Sequence, residues 1–310
     1  MKSHKLHVTG LLKSTSRTFY LSLRVLPKRL REPVSLAYLL ARALDNIADT
    51  RTLPPLKRKE CLLDFRRKVR GHMDPRATER IASSLSDRQP LELNRRLLES
   101  LGPAFEMLGE MPKSDATKIR TVIDTLTRGM EFDLTTFPTE DSGLVEALMT
   151  KEDLDEYTYL VAGCVGEFWT DISVKHTRTL GHWNVNKMAA LGVRFGKGLQ
   201  MVNVLKDVPS DLRIGRCYLP ELSLKDAGLE PSSLLMPETS IQARSVLVDC
   251  ISIALGHFCA AKEYLVAIPR RCVRLRLATA WPMLIGLETL AVLARNPHWL
   301  EPERPSKVTR

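Results

Sequence analysis

The sequence predicts an all-α protein. Apolar residues recur at steps of three and four along most of the 310-residue chain, which is the period of an amphipathic helix. No segment alternates convincingly with period two, and β-branched residues are scattered. The segments with the helical period are 34–49, 90–109, 116–134, 153–172, 186–208, 241–266 and 273–294.

Turn-forming residues separate these segments in chain order. The first segment follows Glu32-Pro33, which predicts a helix start with Pro33 in the first turn. Later breaks fall at Pro54-Pro55, Asp74-Pro75, Gly102-Pro103, Pro112, Pro138 to Gly143 and Leu229 to Ser240. Because the chain has no internal repeat and no Gly- and Ser-rich linker, we expect a single all-α domain over residues 1–310. Its expected loose ends are residues 1–13 and 301–310.

The apolar stretches and the cysteine spacing indicate the cellular compartment in which we expect the protein. Leu277–Ala294 is the most apolar stretch, but it contains Glu288 and Pro282, so we interpret it as a buried core helix rather than a membrane span. Residues 1–17 lack the apolar core of a secretory signal. The six cysteines form no C-x-x-C pair and match no zinc spacing. We therefore expect a reduced, cytoplasmic protein.

Charge points to an anionic partner. The net charge of +10 suits a phosphate-bearing substrate, an acidic membrane surface or a nucleic acid. A basic run over residues 51–70 is interpreted as the solvated face of a helix, with contact to anionic lipid as the next option. Nucleic acid is not expected, because no aromatic residues interleave with the basic ones.

The first informative constellation is Tyr38, Arg42, Asp45 and Asp49. Their spacings of four, three and four place all of them on one helix face. The opposite face is mostly apolar. The polar stripe therefore borders a strongly hydrophobic surface.

A second constellation follows about 160 residues later along the helical pattern. Gln200, Asn203 and Asp207 share a helix face at spacings of three and four. Asp211 shares this face if the helix continues. Because proline is disfavoured inside a helix, Pro209 allows the alternative that Asp211 lies just past a kink or a helix end.

Paired carboxylates of this kind suit a metal bound together with diphosphate. Two carboxylates one turn apart can share Mg²⁺ with diphosphate oxygens and water, because Mg²⁺ takes an octahedral oxygen shell. Two such helices facing each other would bracket a diphosphate. Arg42, Lys206 and Arg216 could complete the neutralisation of its charge. For a single pair, an exposed helix face with charged residues is the plainer interpretation.

Three sequence stretches resemble the squalene/phytoene synthase family. They are Ser16-Arg17-Thr18-Phe19-Tyr20 continuing to Asp49, the stretch from Tyr157 through Gly163 to Gly166, and Asn203 through Arg216 to Pro220. The resemblance runs from residue 14 to about residue 295 in the family's order, and it is strongest to bacterial squalene synthases. It implies an isoprenoid-synthase-type helical bundle around a central cavity.

The resemblance also implies roles for individual residues. Asp45, Asp49, Asp207 and Asp211 fall where the family binds Mg²⁺ and substrate diphosphate. Residues at the family's diphosphate-contacting and cavity positions are Ser16, Arg17, Tyr38, Arg42, Gln200, Asn203, Lys206 and Arg216. Tyr157 matches a tyrosine implicated in proton handling and ionisation, although a core position is the plainer interpretation of this residue alone. The C-terminal Lys307 and Arg310 resemble a basic tail placed near NADPH.

The chain departs from the family pattern near both carboxylate pairs. Ala48 and Ser210 stand where the family often carries a glutamate, and Lys206 replaces a common arginine. The metals could therefore have fewer protein ligands. Gly163 and Gly166 permit either close approach of two helices or space for a prenyl chain.

The implied activity is head-to-head condensation of two farnesyl diphosphates to presqualene diphosphate, followed by NADPH-dependent reduction to squalene. Alternatives within the family are a phytoene or dehydrosqualene synthase without reduction, or an enzyme that stops at presqualene diphosphate or hydrates it. An alternative of another class is a non-catalytic helical protein that binds anionic lipid. Farnesyl diphosphate is the expected substrate, and no nucleic-acid partner is expected. Peripheral contact with the inner face of the membrane would serve product release. The oligomeric state is left open, with a monomer favoured.

Overall fold

The structure is a computed structural model that describes residues 22–72, 79–81, 96–97 and 99–308. Its helices are α1 Lys28–Ala48, α2 Pro55–Arg70, α3 Leu101–Glu110, α4 Lys113–Thr136, α5 Lys151–Thr158, α6 Cys164–His176, α7 Val185–Leu212, α8 Glu221–Asp226, α9 Arg244–Ala267 and α10 Val273–Arg295. A π-helical turn, Tyr159–Gly163, joins α5 to α6. Short 3-10 turns cover Arg178–Leu180, Pro231–Leu235 and Pro237–Ser240. The predicted all-α class is confirmed.

Two very short strands were not predicted. Strand β1, Glu146–Ala147, pairs in parallel with β2, Arg216–Cys217. Glu146 is opposite Arg216, and Ala147 is opposite Cys217. Pairing between segments so far apart depends on the tertiary fold rather than on local alternation.

The described chain forms two compact units. The first contains the described residues up to Leu134 together with Phe168–Val185 and Pro269–Ala278. The second contains Thr135–Glu167, Asn186–Ile268 and the described residues from Thr279 onward. Whether these units make up one domain, as expected from the sequence, stays a prediction.

The core of the first unit packs α1 against α2 and α3. Leu40 and Leu44 of α1 and Leu62 of α2 are completely buried. Phe65 contacts Phe105 edge to face, with ring centroids 5.2 Å apart. The packing of α1 on α2 and α3 buries its apolar face, so its polar face is left for other partners.

The second unit packs α7 against the segment from α5 to α6 and against α9. A Cβ atom on Gly166 would lie 1.8 Å from the Gly192 carbonyl oxygen, and one on Gly196 would lie 2.2 Å from the Ala162 oxygen. The backbones therefore approach as closely as glycine alone allows. Of the two interpretations of Gly166, close helix approach is the one that the structure supports.

The ends of two helices differ from the sequence expectations. The predicted start at Glu32-Pro33 is wrong, because α1 begins at Lys28 and Pro33 lies inside it. The Pro27 carbonyl accepts hydrogen bonds from the Leu30 and Arg31 amides, at 3.0 Å each, and so begins the helix earlier. Helix α7 continues through Pro209 to Leu212, so the alternative of a helix end before Asp211 is excluded.

The C-terminal segment is held at more points than expected. Asn296 Nδ2 donates to the Arg304 carbonyl at 3.0 Å and to Ser306 Oγ at 2.9 Å. The buried Trp299 donates its indole N–H to the Ser240 carbonyl at 3.0 Å. The expectation of a loose end from residue 301 is therefore corrected as far as Ser306. Residues 1–13 lie outside the described residues.

Helix α10 is only partly a core helix. Leu290 and Leu293 are buried, whereas Leu284 is 56% exposed and Ile285 is 45% exposed. The interpretation as a buried core helix therefore holds for one face. By length and composition alone, α9 and α10 are each long and apolar enough to cross a membrane.

Candidate active site

Helix α1 presents the first predicted constellation on its polar face. Tyr38, Arg42 and Asp45 are partly exposed, and Asp49 is exposed at the C-cap of the helix. The Asp49 backbone is still helical, with φ −86° and ψ −1°, so its side chain continues the stripe of Asp45. The structure brings these residues together as the spacing predicted.

The first carboxylate pair is incompletely neutralised. Desolvation raises the pKa of Asp45 to about 6; Arg42 opposes this effect, and the nearby Asp49 carboxylate adds to it. Arg42 Nη1 lies 3.5 Å from Asp45 Oδ2, and the Asp45 side chain is 43% exposed to solvent. A carboxylate that is desolvated yet accessible favours a cation as an additional partner.

Helix α7 carries the second carboxylate pair in the second unit. Asp207 and Asp211 lie one turn apart on the same helix, and both are partly exposed. The Lys206 ammonium forms an ion pair with Asp207. Pro209 is buried inside α7. Because proline has no backbone N–H, one hydrogen bond of the helix is missing at this position, but the helix continues.

Amide groups extend this polar stripe toward the N-terminus of α7. Asn203 Nδ2 lies 3.4 Å from Gln200 Oε1, which is a long hydrogen bond. Asn203 is exposed, and Gln200 is partly exposed. Both side chains therefore keep hydrogen-bonding capacity for a ligand.

Tyr157 is buried in an aromatic stack. It lies near the end of α5, and its ring packs on Tyr218 with a centroid distance of 4.6 Å and an angle of 25°. Tyr218 also meets the edge of Phe137 at 5.0 Å. Sequence reasoning assigned no role to Tyr218. The available signal was its place two residues after Arg216 in a motif typical of the family.

The other side of the same segment is polar. Lys197 of α7 donates to Asp155 Oδ2 at 2.6 Å, and its ammonium lies 5.9 Å from the centroid of the Tyr159 ring. Asp155 precedes Tyr157 by two residues, and Tyr159 follows it by two. Lys197 thus ties both flanks of Tyr157 to α7, which the sequence alone did not indicate.

Other predicted site residues have different surroundings. Arg216 has 13% side-chain exposure and lies 3.7 Å from Glu140 Oε1, so it already has an acidic neighbour. Lys307 is exposed near the end of the described chain. Ser16, Arg17 and Arg310 lie outside the described residues.

Each carboxylate pair fits a divalent cation that also has ligands from outside the protein. Among the described residues, no group of three or more His, Cys, Asp or Glu side chains forms a metal cluster. Two aspartates one turn apart supply hard oxygen ligands, and Mg²⁺ commonly keeps water and phosphate oxygens as its other ligands. The donor set in each unit therefore suits a metal bound together with a phosphorylated ligand.

Comparisons with known proteins identify the relatives of this chain. The family model described as squalene/phytoene synthase matches residues 12–310. The squalene synthase of Schizosaccharomyces pombe is 26% identical over 93% of this chain, and the bifunctional lycopene cyclase/phytoene synthase of Colletotrichum graminicola is 27% identical over 92%. This chain spans 59% and 45% of the lengths of these two relatives.

Solved structures share the fold. The complex of TcSQS with the ligand BPH1237 has a TM-score of 0.80 at 21% identity, covering 100% of this chain and 84% of that one. The squalene synthase HpnC from Alicyclobacillus acidocaldarius has a TM-score of 0.68 at 18% identity, covering 95% and 94%. A dehydrosqualene synthase in complex with a ligand has a TM-score of 0.65 at 20% identity, covering 98% and 90%. The fold expected from the sequence motifs is thereby confirmed.

Proposed function

The chain belongs to the squalene/phytoene synthase family, and we propose that it joins two molecules of farnesyl diphosphate head to head and reduces the product to squalene. The observation that carries this proposal is the pair of aspartate couples, Asp45 with Asp49 and Asp207 with Asp211, each beside a basic residue on its helix. Squalene as the product is supported by the similarity to the squalene synthase of Schizosaccharomyces pombe.

Diphosphate binding is the first role of the site residues. Arg42 and Lys206 each accompany an aspartate and would bind diphosphate oxygens by charge-assisted hydrogen bonds. Gln200 and Asn203 would orient the diphosphate bound beside Lys206 on the same helix through their amides. Asp45, Asp49, Asp207 and Asp211 would hold Mg²⁺. When bound, Mg²⁺ supplies positive charge that stabilises the departing diphosphate.

Carbon–carbon bond formation follows loss of diphosphate. The C–O bond of one farnesyl diphosphate breaks, and the leaving group takes the electron pair. The double bond of the second molecule attacks the resulting allylic cation, and loss of a proton closes the cyclopropane ring of presqualene diphosphate. We assign Tyr157 to this proton transfer, because its ring is fixed by Tyr218 and its hydroxyl is the polar part of the side chain.

Reduction is the part of the proposal that rests on resemblance. A second ionisation and rearrangement give a cation that needs two electrons to become squalene, and no side chain supplies a hydride. Lys307 and Arg310 are the residues proposed to contact NADPH. Lys307 is exposed near the end of the described chain and does not by itself form a dinucleotide cradle.

A second candidate product is phytoene or dehydrosqualene, formed without reduction. The observation that favours it is the similarity to the phytoene synthase of Colletotrichum graminicola, which is as close as that to the squalene synthase. The two candidates share the site described above and differ in reduction and in prenyl chain length.

The deciding experiment is product analysis by mass spectrometry. Purified protein is incubated with farnesyl diphosphate and Mg²⁺, with and without NADPH. We expect presqualene diphosphate or unreduced products without NADPH and squalene with it. An identical product spectrum in both reactions would reject squalene and favour dehydrosqualene. Turnover only with geranylgeranyl diphosphate would favour phytoene. No diphosphate release from either substrate would reject the enzymatic function.

A further inference from the structure

An open groove of about 530 Å³ lies in the first unit. Three separate stretches of chain line it: Pro27 before α1, Thr177 and Thr179 after α6, and residues 271–275 at the start of α10. None of the described candidate site residues lines this groove. Its role is therefore separate from the proposed catalytic chemistry.

Positive charge surrounds this groove from all three stretches. Arg271 and Arg274 line it directly, and further basic residues adjoin the other lining positions in sequence. The exposed basic residues are Lys28, Arg29, Arg178, Arg270, Arg271 and Arg274. None of their side chains forms a hydrogen bond or an ion pair with another residue that the structure describes. No Asp or Glu occurs in 27–31, 177–182 or 268–276, so this charge has no compensation within these stretches.

The basic run of α2 differs from the groove in this respect. Arg66 and Arg70 both bind Asp124, at 2.9 and 2.6 Å, and Lys57 binds Glu60 at 2.7 Å. These charges already have partners within the protein. The groove is consequently a better candidate for binding an external anion than the basic run over residues 51–70.

Exposed aliphatic side chains accompany the arginines. Val273 lines the groove and is 57% exposed, and Leu277, one turn further on the same face of α10, is 38% exposed. No aromatic side chain is among the described residues that line the groove, so bases would lack stacking partners there. Basic residues beside aliphatic ones match the two layers of a lipid surface, where phosphates lie above hydrocarbon.

We propose that this groove docks the protein on a membrane that contains anionic phospholipid. Arg271 and Arg274 contact headgroup phosphates, and Val273 and Leu277 reach the boundary of the hydrocarbon. The backbone amides at the start of α10 add to the positive potential. This inference goes beyond the proposed function and holds whatever product the site forms.

Vesicle sedimentation tests the docking surface. Full-length protein is mixed with vesicles of phosphatidylcholine alone, or with one third phosphatidylglycerol, at about 0.1 M ionic strength, where screening still permits contact attraction. We expect binding only to the anionic vesicles. Because each basic residue near an anionic surface raises partitioning about fivefold, the double variant R271E/R274E should bind at least about tenfold more weakly.

Matched variants make the test specific. Lys113 and Arg128 of α4 are also exposed, and their side chains have no partners among the described residues, so K113E/R128E changes the net charge equally and should bind within about twofold of wild type. If R271E/R274E fails to fold by circular dichroism, R271A/R274A replaces it. Equal loss in both double variants would reject the groove in favour of net charge. Binding to duplex DNA but not to anionic vesicles would reject lipid in favour of nucleic acid.

Discussion

Tyr157 stacks on Tyr218 with ring centroids 4.6 Å apart and ring planes 25° apart. The two residues come from distant parts of the chain, one at the end of α5 and the other directly after β2. Both are buried, with exposures of 5% and 7%. Packing on Tyr218 therefore helps to position the Tyr157 ring, and a variant that lacks only the hydroxyl keeps this stack.

The first prediction removes only this hydroxyl. In Tyr157→Phe the ring still packs on Tyr218, so Tm should change by no more than a few degrees. If the hydroxyl handles a proton, kcat should fall about 100-fold or more. Steady-state diphosphate release and thermal unfolding measure the two effects. Tyr264→Phe, which changes another buried tyrosine of the second unit, is the control and should keep its rate. An unchanged rate with lowered Tm would make Tyr157 a structural residue.

The second prediction concerns the carboxylate pairs. Asp45→Asn and Asp207→Asn each remove one charge while keeping the shape of the side chain, so folding should persist. We expect kcat/KM to fall more than about 100-fold in each variant, because a metal-binding oxygen is lost. The control is Asp249→Asn, whose carboxylate is 61% exposed and lies 3.5 Å from Lys151. Activity above about a tenth of wild type, a loss below about 1.4 kcal/mol, would contradict the assigned role of that aspartate.

Local periodicity predicted most of the long helices, although not the start of α1, and it predicted the helix faces of the two carboxylate pairs. Tyr38, Arg42 and Asp45 share the polar face of α1 because that face follows directly from 3.6 residues per turn. The continuation of α7 through Pro209 was not predictable in the same way. Tertiary packing around the buried proline can outweigh the loss of one hydrogen bond, and packing is not visible in local sequence.

Contacts between distant segments account for most of what the sequence did not reveal. The stack of Tyr157 on Tyr218 joins positions about sixty residues apart, and the pairing of β1 with β2 spans a similar distance. The π-helical turn Tyr159–Gly163 lies where Gly166 and Gly196 allow helix backbones to touch. None of these features has a periodic signal, because each depends on which segments meet after folding.

The third prediction tests this close approach. A Cβ on Gly166 would lie 1.8 Å from the Gly192 carbonyl oxygen, and backbone cannot move aside as a side chain can. Gly166→Ala should therefore lower the free energy of unfolding by about 3 kcal/mol or more. Gly109→Ala is the control, because nothing lies within 4 Å of its added Cβ. That variant should be neutral or slightly stabilising. Urea unfolding compares them, and equal stability of both would contradict the close contact.

The fourth prediction concerns a buried carboxylate in the first unit, Asp115, and its two basic partners. Asp115 is 2% exposed; Lys175 Nζ lies 2.6 Å from its carboxylate and His176 Nε2 lies 3.1 Å from it. Asp115→Asn removes the counter-charge of Lys175, whose side chain is 36% exposed and therefore stays hydrated, and we expect a loss of about 1–2 kcal/mol in unfolding free energy. In the wild type, Lys175→Met should also lower the unfolding free energy. In the Asp115→Asn background the same substitution should lower it by less, because the ion pair is already broken. Additive costs in urea unfolding would show that the pair is not coupled.

The last prediction is a pH dependence of stability at Asp124. Burial would raise the pKa of Asp124, but hydrogen bonds from Arg70 and Arg66 outweigh burial and lower it. Folding therefore favours the carboxylate. The resulting stability is fully present above the unfolded pKa of about 3.9 and is lost as pH falls through the lower folded pKa. Asp124→Asn should reduce Tm at pH 7 by about 1–3 °C, and the difference from wild type should shrink below about pH 4.

Thermal unfolding between pH 7 and pH 3 measures this difference in Tm. Asp226→Asn, which changes an exposed aspartate, is the control and should match wild type throughout. A difference that stays constant with pH would mean that Asp124 stabilises the fold through its shape and hydrogen bonds rather than its charge.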